Sequence, residues 1–239
     1  MNKIVVDHVV KSFQTGNGDF EALKDVSFEI NEGECTVIGG ENGSGKSVLM
    51  SIISGLEDPD SGKVSCYGRV GLVFQEAETQ ILGETIEEDI AYGPKNMGMK
   101  KEKVQEAVEK ALEKVGLLEK REYPARFLSG GEKRRLAVAC MLSMELPIII
   151  FDEPYANLDY MGVKQVNSLI KQLKEEGKTV IILTHEIEKC LGLASRFIVL
   201  FRGKKEFDGT PMDGLKENLE QWNIRNPFTS YKELGDLVW

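Results

Sequence analysis

Short apolar runs alternate with amphipathic stretches along most of this chain. The runs at residues 35–38, 148–151, 179–183 and 197–201 are typical of strands that are buried on both faces of a sheet. Residues 160–176, which lie between two of these runs, have the periodicity of an amphipathic helix. This alternation predicts an α/β fold in which helices cover a parallel sheet.

The N-terminal part of the chain follows a different pattern. Residues 2–13 and 22–30 are rich in β-branched and aromatic side chains, and the turn-forming residues 14–19 separate them. We therefore expect an antiparallel hairpin here. Two further short strands are predicted at residues 63–67 and 70–74.

A helical region is predicted over residues 85–118. Glycine and proline predict interruptions at residues 92–94 and again near 97–99. Within the region one helix face is apolar and the others carry Glu and Lys, which is typical of a helix with one packed face and one solvated face. The apolar positions are Val104, Val108, Ala111, Leu112 and Val115.

Composition narrows the class of protein. The chain has 239 residues, 41% of them apolar, and a net charge of −9, so we expect a soluble globular protein without a nucleic-acid-binding surface. It has no apolar signal segment and no apolar run long enough to cross a bilayer, which predicts a chain that is neither secreted nor membrane-spanning. Four widely spaced cysteines are expected to be reduced packing residues rather than zinc ligands: Cys35, Cys66, Cys140 and Cys190.

Residues 40–47 fit the phosphate-binding pattern G-x-x-x-x-G-K-[ST] in full. Gly43 and Gly45 allow a tight turn whose N–H groups point at phosphate oxygens, while Lys46 is expected to reach the β- and γ-phosphates of ATP. The Ser47 hydroxyl suits a Mg²⁺ ligand. A plain Gly-rich turn is the alternative, but a buried strand precedes the loop and an apolar helix follows it. The predicted nucleotide-binding residues here are Asn42, Gly43, Ser44, Gly45, Lys46, Ser47 and Val48.

Two carboxylates follow the apolar run at residues 148–151. Asp152 is placed to hold Mg²⁺, directly or through water, and Glu153 to polarise a water for attack on the γ-phosphate. An Asp-Glu pair at a strand end can also cap a helix, and the phosphate loop upstream favours the catalytic interpretation. Together, the loop and the βαβ pattern predict a P-loop NTPase (RecA-like) core with an antiparallel β subdomain and a small α-helical subdomain.

The motifs in this chain occur in an order that resembles the ATP-binding-cassette (ABC) ATPase family. After the loop at residues 40–47 come Gln75, Leu128-Ser129-Gly130-Gly131-Glu132, the strand that ends at Glu153, Leu158-Asp159, and His185. The sequence LSGGE is the signature of that family. The resemblance covers residues from about 2 to 210.

The resemblance implies that two subunits dimerise head to tail around ATP. In such a dimer the Ser129, Gly130 and Gly131 segment of one subunit closes on the γ-phosphate held by Lys46 of the other. Gln75 would link Mg²⁺ and the attacking water to the partner machinery. Asp159 would cross the interface, and His185 would contact the γ-phosphate.

Several of these assignments have simpler alternatives. Singly, Gln75 and His185 are ordinary polar residues, and only the ordered set of motifs favours a functional role. Phe13 is predicted to stack on the base in place of the family's usual Tyr, although an aromatic residue at a strand end is often part of the core. Val48 replaces the usual Thr, at little cost because Ser47 supplies the Mg²⁺ ligand.

The neighbourhood of Gln75 indicates a subfamily. Residues 74–82 and 84–96, with their second glutamine Gln80 and an acidic run, resemble the ATPase (A) components of energy-coupling factor (ECF) importers of vitamins and transition-metal ions. Glu76-Ala77 replaces the usual Asn-Pro. The resemblance implies an ATPase subunit bound peripherally at the cytoplasmic face of the cell membrane, with a second ABC ATPase subunit and integral membrane subunits as partners. The alternative is a soluble ABC ATPase that acts on a protein or nucleic-acid partner.

The C-terminal part of the chain is predicted to be a separate tail. Residues 1–205 form the predicted cassette, with its helical subdomain at about 82–145, and residues 206–239 a C-terminal dimerisation tail with amphipathic helices near 215–222 and 231–239. Contacts with a second subunit, or alternatively with the chain's own cassette, are expected from Leu215, Leu219, Trp222, Leu234, Leu237 and Trp239.

Overall fold

The computed structural model describes residues 3–16 and 18–229, which form nine strands and six α-helices. The strands are β1 (Lys3–Thr15), β2 (Gly18–Asn31), β3 (Cys35–Gly39), β4 (Ser61–Ser65), β5 (Val70–Val73), β6 (Ile148–Asp152), β7 (Thr179–Thr184), β8 (Arg196–Phe201) and β9 (Lys204–Gly209). The helices are α1 (Lys46–Ile53), α2 (Ile86–Asn96), α3 (Lys101–Val115), α4 (Gly130–Ser143), α5 (Tyr160–Glu175) and α6 (Pro211–Gly214).

A six-stranded sheet forms the centre of the molecule. Its strand order is β5-β6-β7-β3-β8-β9, and all neighbours are parallel except β8 and β9. The strands β3, β6 and β7 lie side by side, so their carboxyl ends meet at one edge. Gly39 pairs with Thr184, and Asp152 pairs with Leu183. This register brings the phosphate loop, the carboxylate pair and His185 together, as expected for the ligand-binding edge of a parallel sheet.

The buried strands of this sheet alternate between two apolar clusters. In β6, Ile149 and Phe151 face the cluster that includes the helical region, while Ile148 and Ile150 face the cluster that includes the antiparallel sheet. Burial on both faces accounts for the continuous apolar run in the sequence. Among the described residues there is no helix of the length and apolarity that a membrane span requires.

The predicted N-terminal hairpin is confirmed. Strands β1 and β2 pair antiparallel, and β4 pairs with the other edge of β1 to complete a three-stranded sheet. Strand β4 begins two residues earlier than predicted. Gly62 allows this early start, because a Cβ at that position would lie 2.1 Å from the carbonyl oxygen of His8 on β1.

The predicted interruption of the helical region at residues 92–94 is wrong, because α2 continues through Pro94 to Asn96. Pro94 has no N–H for the carbonyl of Ile90, four residues earlier. The Ser143 hydroxyl of α4 lies 2.9 Å from that carbonyl oxygen and donates to it, sharing its single proton with the carbonyl oxygen of Cys140, also at 2.9 Å. The break near residue 98 is confirmed, and the predicted apolar face of α3 is buried.

The central sheet continues past residue 205, the predicted end of the cassette. Strand β9 extends the six-stranded sheet antiparallel to β8 and crosses the predicted boundary between residues 205 and 206. Its sequence, Lys-Lys-Glu-Phe-Asp-Gly, is charged because it forms a sheet edge, where polar side chains reach solvent. Local hydrophobicity therefore gave no strand signal.

The tail residues near 215–222 do not form the predicted amphipathic helix. The short helix α6 and a separate 3₁₀ turn, Leu219–Trp222, take its place. Leu219 and Trp222 are buried against the chain's own cassette, where the rings of Trp222 and Phe207 lie 6.4 Å apart. For these residues the structure supports the alternative of packing on their own cassette. The second predicted helix lies outside the described residues, as do Leu234, Leu237 and Trp239.

Candidate nucleotide site

The phosphate loop joins the buried strand β3 to helix α1, and two of its glycines are required by close packing. A Cβ on Gly40 would lie 2.2 Å from the carbonyl oxygen of Leu200. Gly45 precedes α1 with φ 106°, and a Cβ there would lie 2.6 Å from the carbonyl oxygen of Ala22. The loop therefore packs directly against β8 and β2, with the N-terminus of α1 at its end.

Lys46 is buried beneath the loop. Its Nζ donates to the carbonyl oxygens of Gly40 at 2.8 Å and Glu41 at 3.0 Å, and lies 3.6 Å from Glu153 Oε1. Burial lowers the pKa of this amine from its ordinary value, and the nearby carboxylate of Glu153 opposes that shift. The loop thus holds the ammonium group in the position where the motif predicts phosphate binding.

Ser47 and Asp152 form a pair of oxygen donors. The Ser47 hydroxyl donates to Asp152 Oδ2 at 3.0 Å, while Asp152 Oδ1 is buried and has no hydrogen-bond partner within residues 3–16 and 18–229. Burial raises the pKa of the Asp152 carboxyl. A hydroxyl next to a carboxylate oxygen without a partner fits Mg²⁺, which prefers hard oxygen ligands.

Glu153 lies at the start of the turn after β6 and has a left-handed backbone, with φ 45°. Its carboxylate accepts hydrogen bonds from Thr184 Oγ1 at 3.0 Å and from the His185 N–H at 3.1 Å. His185 Nδ1 lies 2.9 Å from Glu153 Oε1. The end of β7 therefore fixes this carboxylate beside Lys46.

Most of the predicted loop residues line one cavity of about 200 Å³. Gln75 and Glu153 from the neighbouring strand ends also line it. Ser44 is the predicted loop residue that does not line this cavity. It is buried, and its main-chain oxygen accepts a hydrogen bond from the N–H of Gly203. The lining residues are Phe20, Ala22, Asn42, Gly43, Gly45, Lys46, Ser47, Val48, Gln75 and Glu153.

Phe20 is a cavity residue that sequence reasoning missed. It lies directly opposite Phe13 in the β1–β2 hairpin and lines the cavity, whereas Phe13 has Lys11 Nζ 5.4 Å from the centre of its ring. The signal was present in the sequence, because a hairpin that turns at residues 14–19 places residues 13 and 20 across from each other. Base stacking by Phe13 stays a prediction.

The signature residues lie at the N-terminus of α4. Ser129 caps this helix in a capping box with Glu132, and its hydroxyl donates to Glu132 Oε2 at 3.0 Å. Lys120 donates to the other oxygen of Glu132, and these bonds lower the pKa of that carboxyl to about 2. Gly131 lies in the first turn of α4. A Cβ added at this position would lie 4.0 Å from a side-chain atom of Leu158.

A second cavity, of about 280 Å³, separates these residues from the phosphate loop. Gly130 and Leu158 line it, and Gln75 lines both cavities. Asp159 caps helix α5, since its Oδ1 accepts a hydrogen bond from the Gly162 N–H at 2.7 Å. In the described part of the chain, neither of these two cavities is lined by both signature and loop residues.

Arg134 is the second residue that sequence reasoning missed. Its guanidinium, on α4, donates to the carbonyl oxygens of Glu153 at 2.8 Å and Gln75 at 2.7 Å. In the sequence it is one of two adjacent arginines after the signature, and helical periodicity alone does not indicate which of them points into the protein.

The three acidic residues at the start of α2, Glu87, Glu88 and Asp89, have different surroundings. Asp89 is 4% exposed, and its Oδ1 accepts the N–H groups of Leu82 and Gly83, so it is a structural residue. Glu87 pairs with Arg121, and Glu88 completes the capping box of α2. Glu87 and Glu88 also line a groove of about 690 Å³ between α2 and α3.

Comparison with known proteins identifies the family of this chain. A family model described as "ABC transporter" matches residues 23–156. The ECF transporter ATP-binding protein EcfA1 of Caldanaerobacter subterraneus is 40% identical over 82% of this chain and 76% of the relative. EcfA of Methanocaldococcus jannaschii is 36% identical over 86% of this chain and 80% of the relative. The chain spans only 50% of a putative ABC transporter ATP-binding protein of Methanosarcina mazei, at 35% identity.

The fold of this chain is also similar to the folds of solved ABC cassettes. CbiO1 of Clostridium perfringens, described as part of the CbiONQ ABC transporter complex, superposes with a TM-score of 0.81 at 29% identity, covering 95% of this chain and 97% of that one. A dimeric ABC cassette in a post-hydrolysis state with ADP and Pi superposes with a TM-score of 0.79 at 29% identity, covering 87% and 98%. These matches confirm the predicted fold class and the resemblance drawn from the motifs.

Proposed function

Since this chain belongs to the ABC transporter family of ATPases, we propose that it is the ATP-hydrolysing subunit of an ECF-type importer of a vitamin or a transition-metal ion. The main observation behind this proposal is that Lys46, Asp152 and Glu153 lie together beside the phosphate loop. The ECF names of the relatives and the CbiONQ description of CbiO1 support the importer class.

In this proposal the phosphates of ATP lie along the loop of residues 40–45 and the N-terminus of α1. Lys46 binds the β- and γ-phosphates, and the loop N–H groups and the helix dipole add to the binding. Glu153 orients and polarises the attacking water through a carboxylate that Thr184 and His185 hold in place. His185 would contact the γ-phosphate, and its exposed side chain beside Glu153 supports this role.

Ser47 and Asp152 would hold Mg²⁺, and Gln75 would complete its protein ligands. This assignment is supported by the buried Oδ1 of Asp152, which has no hydrogen-bond partner within the described ranges. When bound, Mg²⁺ supplies positive charge that stabilises the β- and γ-phosphate oxygens.

We further propose that a complete site needs two ATPase subunits. Ser129, Gly130 and Gly131 would close on the γ-phosphate that the partner subunit binds, and Asp159 would lie at the interface. Gly130 lines one of the two cavities and most of the loop residues line the other, which supports this arrangement because neither of the two is lined by both. The dimeric form of the solved cassettes supports it as well.

The membrane partner would bind at the groove between α2 and α3, with the ATPase at the cytoplasmic face. Glu87 and Glu88 give this groove two carboxylates that suit basic residues of a partner. The double variant Glu87→Lys/Glu88→Lys should lose the membrane subunit and keep ATP binding. Lys95→Glu, at the same groove, is the control and should retain the partner.

The direct test is purification of the tagged full-length chain from detergent-solubilised membranes of its source cells, followed by identification of bound proteins. The proposal expects integral membrane subunits and a second ABC ATPase subunit in stoichiometric amounts. Recovery of the protein from the soluble fraction, together with salt-sensitive binding to nucleic acid, would support instead a soluble ABC ATPase with a nucleic-acid partner.

A further inference from the structure

Arg134 connects three parts of the candidate site with one side chain. It extends from the signature helix α4 into the interior, where it is 6% exposed. One guanidinium nitrogen donates to the carbonyl of Glu153 at 2.8 Å, and the other donates to the carbonyl of Gln75 at 2.7 Å. Because the guanidinium is planar and rigid, these two bonds fix the two carbonyls relative to each other.

Arg134 offsets the burial of its charge with hydrogen bonds to carbonyl groups and not with an ion pair. Arg134 forms no ion pair with any residue in the described part of the chain, and its Nε is buried without a hydrogen-bond partner there. Burial lowers its pKa. A buried charge that lacks an opposite charge is costly, and an apolar side chain of similar volume would usually fit a core better.

The two carbonyls belong to the residues whose placement matters most for the reaction. Glu153 has a left-handed backbone, which is uncommon for a residue with a Cβ and needs support from its surroundings. Its N–H donates to the Leu183 carbonyl at 2.9 Å, and Arg134 binds its own carbonyl. Gln75 lies two residues after the edge strand β5, whose pairing with β6 ends at Val73, so strand pairing does not hold its main chain.

We infer that Arg134 is a positioning residue, which sets the main chain of Gln75 and Glu153 for ATP hydrolysis and ties both to the signature helix α4. This inference rests on the proposed function. A shift of α4 would move Arg134 and therefore both carbonyls together. The hydrolytic geometry of one subunit thereby depends on the helix whose N-terminus would contact the partner's ATP.

The test compares Arg134→Met and Arg134→Lys with the neighbouring control Arg135→Met in the full-length chain. Arg135 bonds Gln165 on α5 and contacts neither carbonyl. A displacement of the catalytic groups by about 1 Å can cost about 100-fold in rate, so we expect Arg134→Met to lower kcat for ATP by about 10- to 100-fold. The KM for ATP, and the affinity for a fluorescent ATP analogue, should change by less than about threefold, because Lys46 and the loop are intact.

Arg134→Lys should recover part of kcat, since an ammonium group can reach one carbonyl and keeps the charge. Arg135→Met should keep wild-type kcat. Wild-type kcat in Arg134→Met would overturn the inference. It would also be overturned if kcat, the affinity for ATP and the melting temperature all fell together, and to the same extent in Arg134→Met and Arg134→Lys, because that result indicates a purely structural role. A wild-type protein without ATPase activity in its purified complex would instead contradict the proposed function itself.

Discussion

Lys46 Nζ lies 3.6 Å from Glu153 Oε1, and the two side chains are only 5% and 7% exposed. The lysine that would bind phosphate and the carboxylate that would act on the attacking water are therefore a buried ion pair. Two hydrogen bonds to loop carbonyls hold the lysine, and the end of β7 holds the glutamate. Charge removal at either position should consequently affect the other.

The first prediction is a large energetic coupling between these two residues. Lys46→Met and Glu153→Gln each leave one buried charge without its partner, so the double variant should be more stable than the sum of the single effects indicates. We expect a coupling of about 1–3 kcal/mol from urea unfolding in nucleotide-free buffer. The more exposed pair Lys114 and Glu176 is the control, with an expected coupling below about 1 kcal/mol. Equal coupling in both pairs would contradict the account.

The second prediction concerns Asp152. Burial raises the pKa of its carboxyl group. A carboxyl with a raised pKa in the folded state lowers stability once it ionises. This penalty is fully present above the folded-state pKa and disappears as pH falls below the unfolded value of about 3.9. At pH 7 without nucleotide, the Asp152→Asn variant should therefore have a higher melting temperature than the wild type. A gain of about 1 kcal/mol in unfolding free energy corresponds to about 2–4 °C. The difference should shrink towards pH 4.

The same variant tests the assignment of the metal ligand. Mg²⁺ with ATP should raise the melting temperature of the wild type and raise that of Asp152→Asn much less, because an amide oxygen is the weaker ligand. ATP with EDTA is the control, in which the two proteins should respond alike. An Asn variant that is destabilised at pH 7, or stabilised fully by Mg²⁺ and ATP, would contradict this assignment.

The third prediction distinguishes the two phenylalanines of the hairpin. Phe20 lines the cavity of the phosphate loop, so Phe20→Ala should weaken ATP binding by about 3- to 10-fold, the range expected for one aromatic contact. Phe20→Leu should weaken it less, because apolar contact area remains. Titration of a fluorescent ATP analogue provides the measurement. If Phe13→Ala weakens binding and Phe20→Ala does not, the base stacks on Phe13, as the sequence predicts.

The fourth prediction tests why helix α2 continues through Pro94. Ser143→Ala leaves the Ile90 carbonyl without its donor and should cost about 1–3 kcal/mol of unfolding free energy. In the Pro94→Ala background the new N–H of residue 94 can bond that carbonyl, so Ser143→Ala should cost clearly less. Denaturant unfolding of the four proteins measures both costs. The same cost in both backgrounds would show that the hydroxyl does not replace the missing N–H.

Sequence patterns predicted the parts of this protein in which local residues determine the outcome. The phosphate loop needs glycines at fixed places, and the apolar run of β6 must be buried on both faces, which delivers Asp152 and Glu153 to the sheet edge. Each of these signals lies within about ten residues of sequence. The loop, the buried strand and the place of the two carboxylates at the sheet edge were therefore predictable, while the roles assigned to these side chains stay predictions.

Features that depend on distant residues were missed. Pro94 looks like a helix breaker until Ser143, from another helix, supplies a donor. Strand β9 has no apolar pattern, because its pairing with β8 alone makes it a strand. Arg134 looks like a solvated residue until the carbonyls of Gln75 and Glu153 are brought to it. In each case the decisive partner comes from another element, which sequence periodicity does not record.

The most direct test of the central claim is ATP turnover by Glu153→Gln in the purified complex, side by side with wild type. The substitution keeps the shape of the side chain and removes the carboxylate that polarises water. We predict that kcat falls by about 100-fold or more, while ATP stays bound and holds two ATPase subunits together, as measured by light scattering. Wild-type turnover in Glu153→Gln would contradict the account.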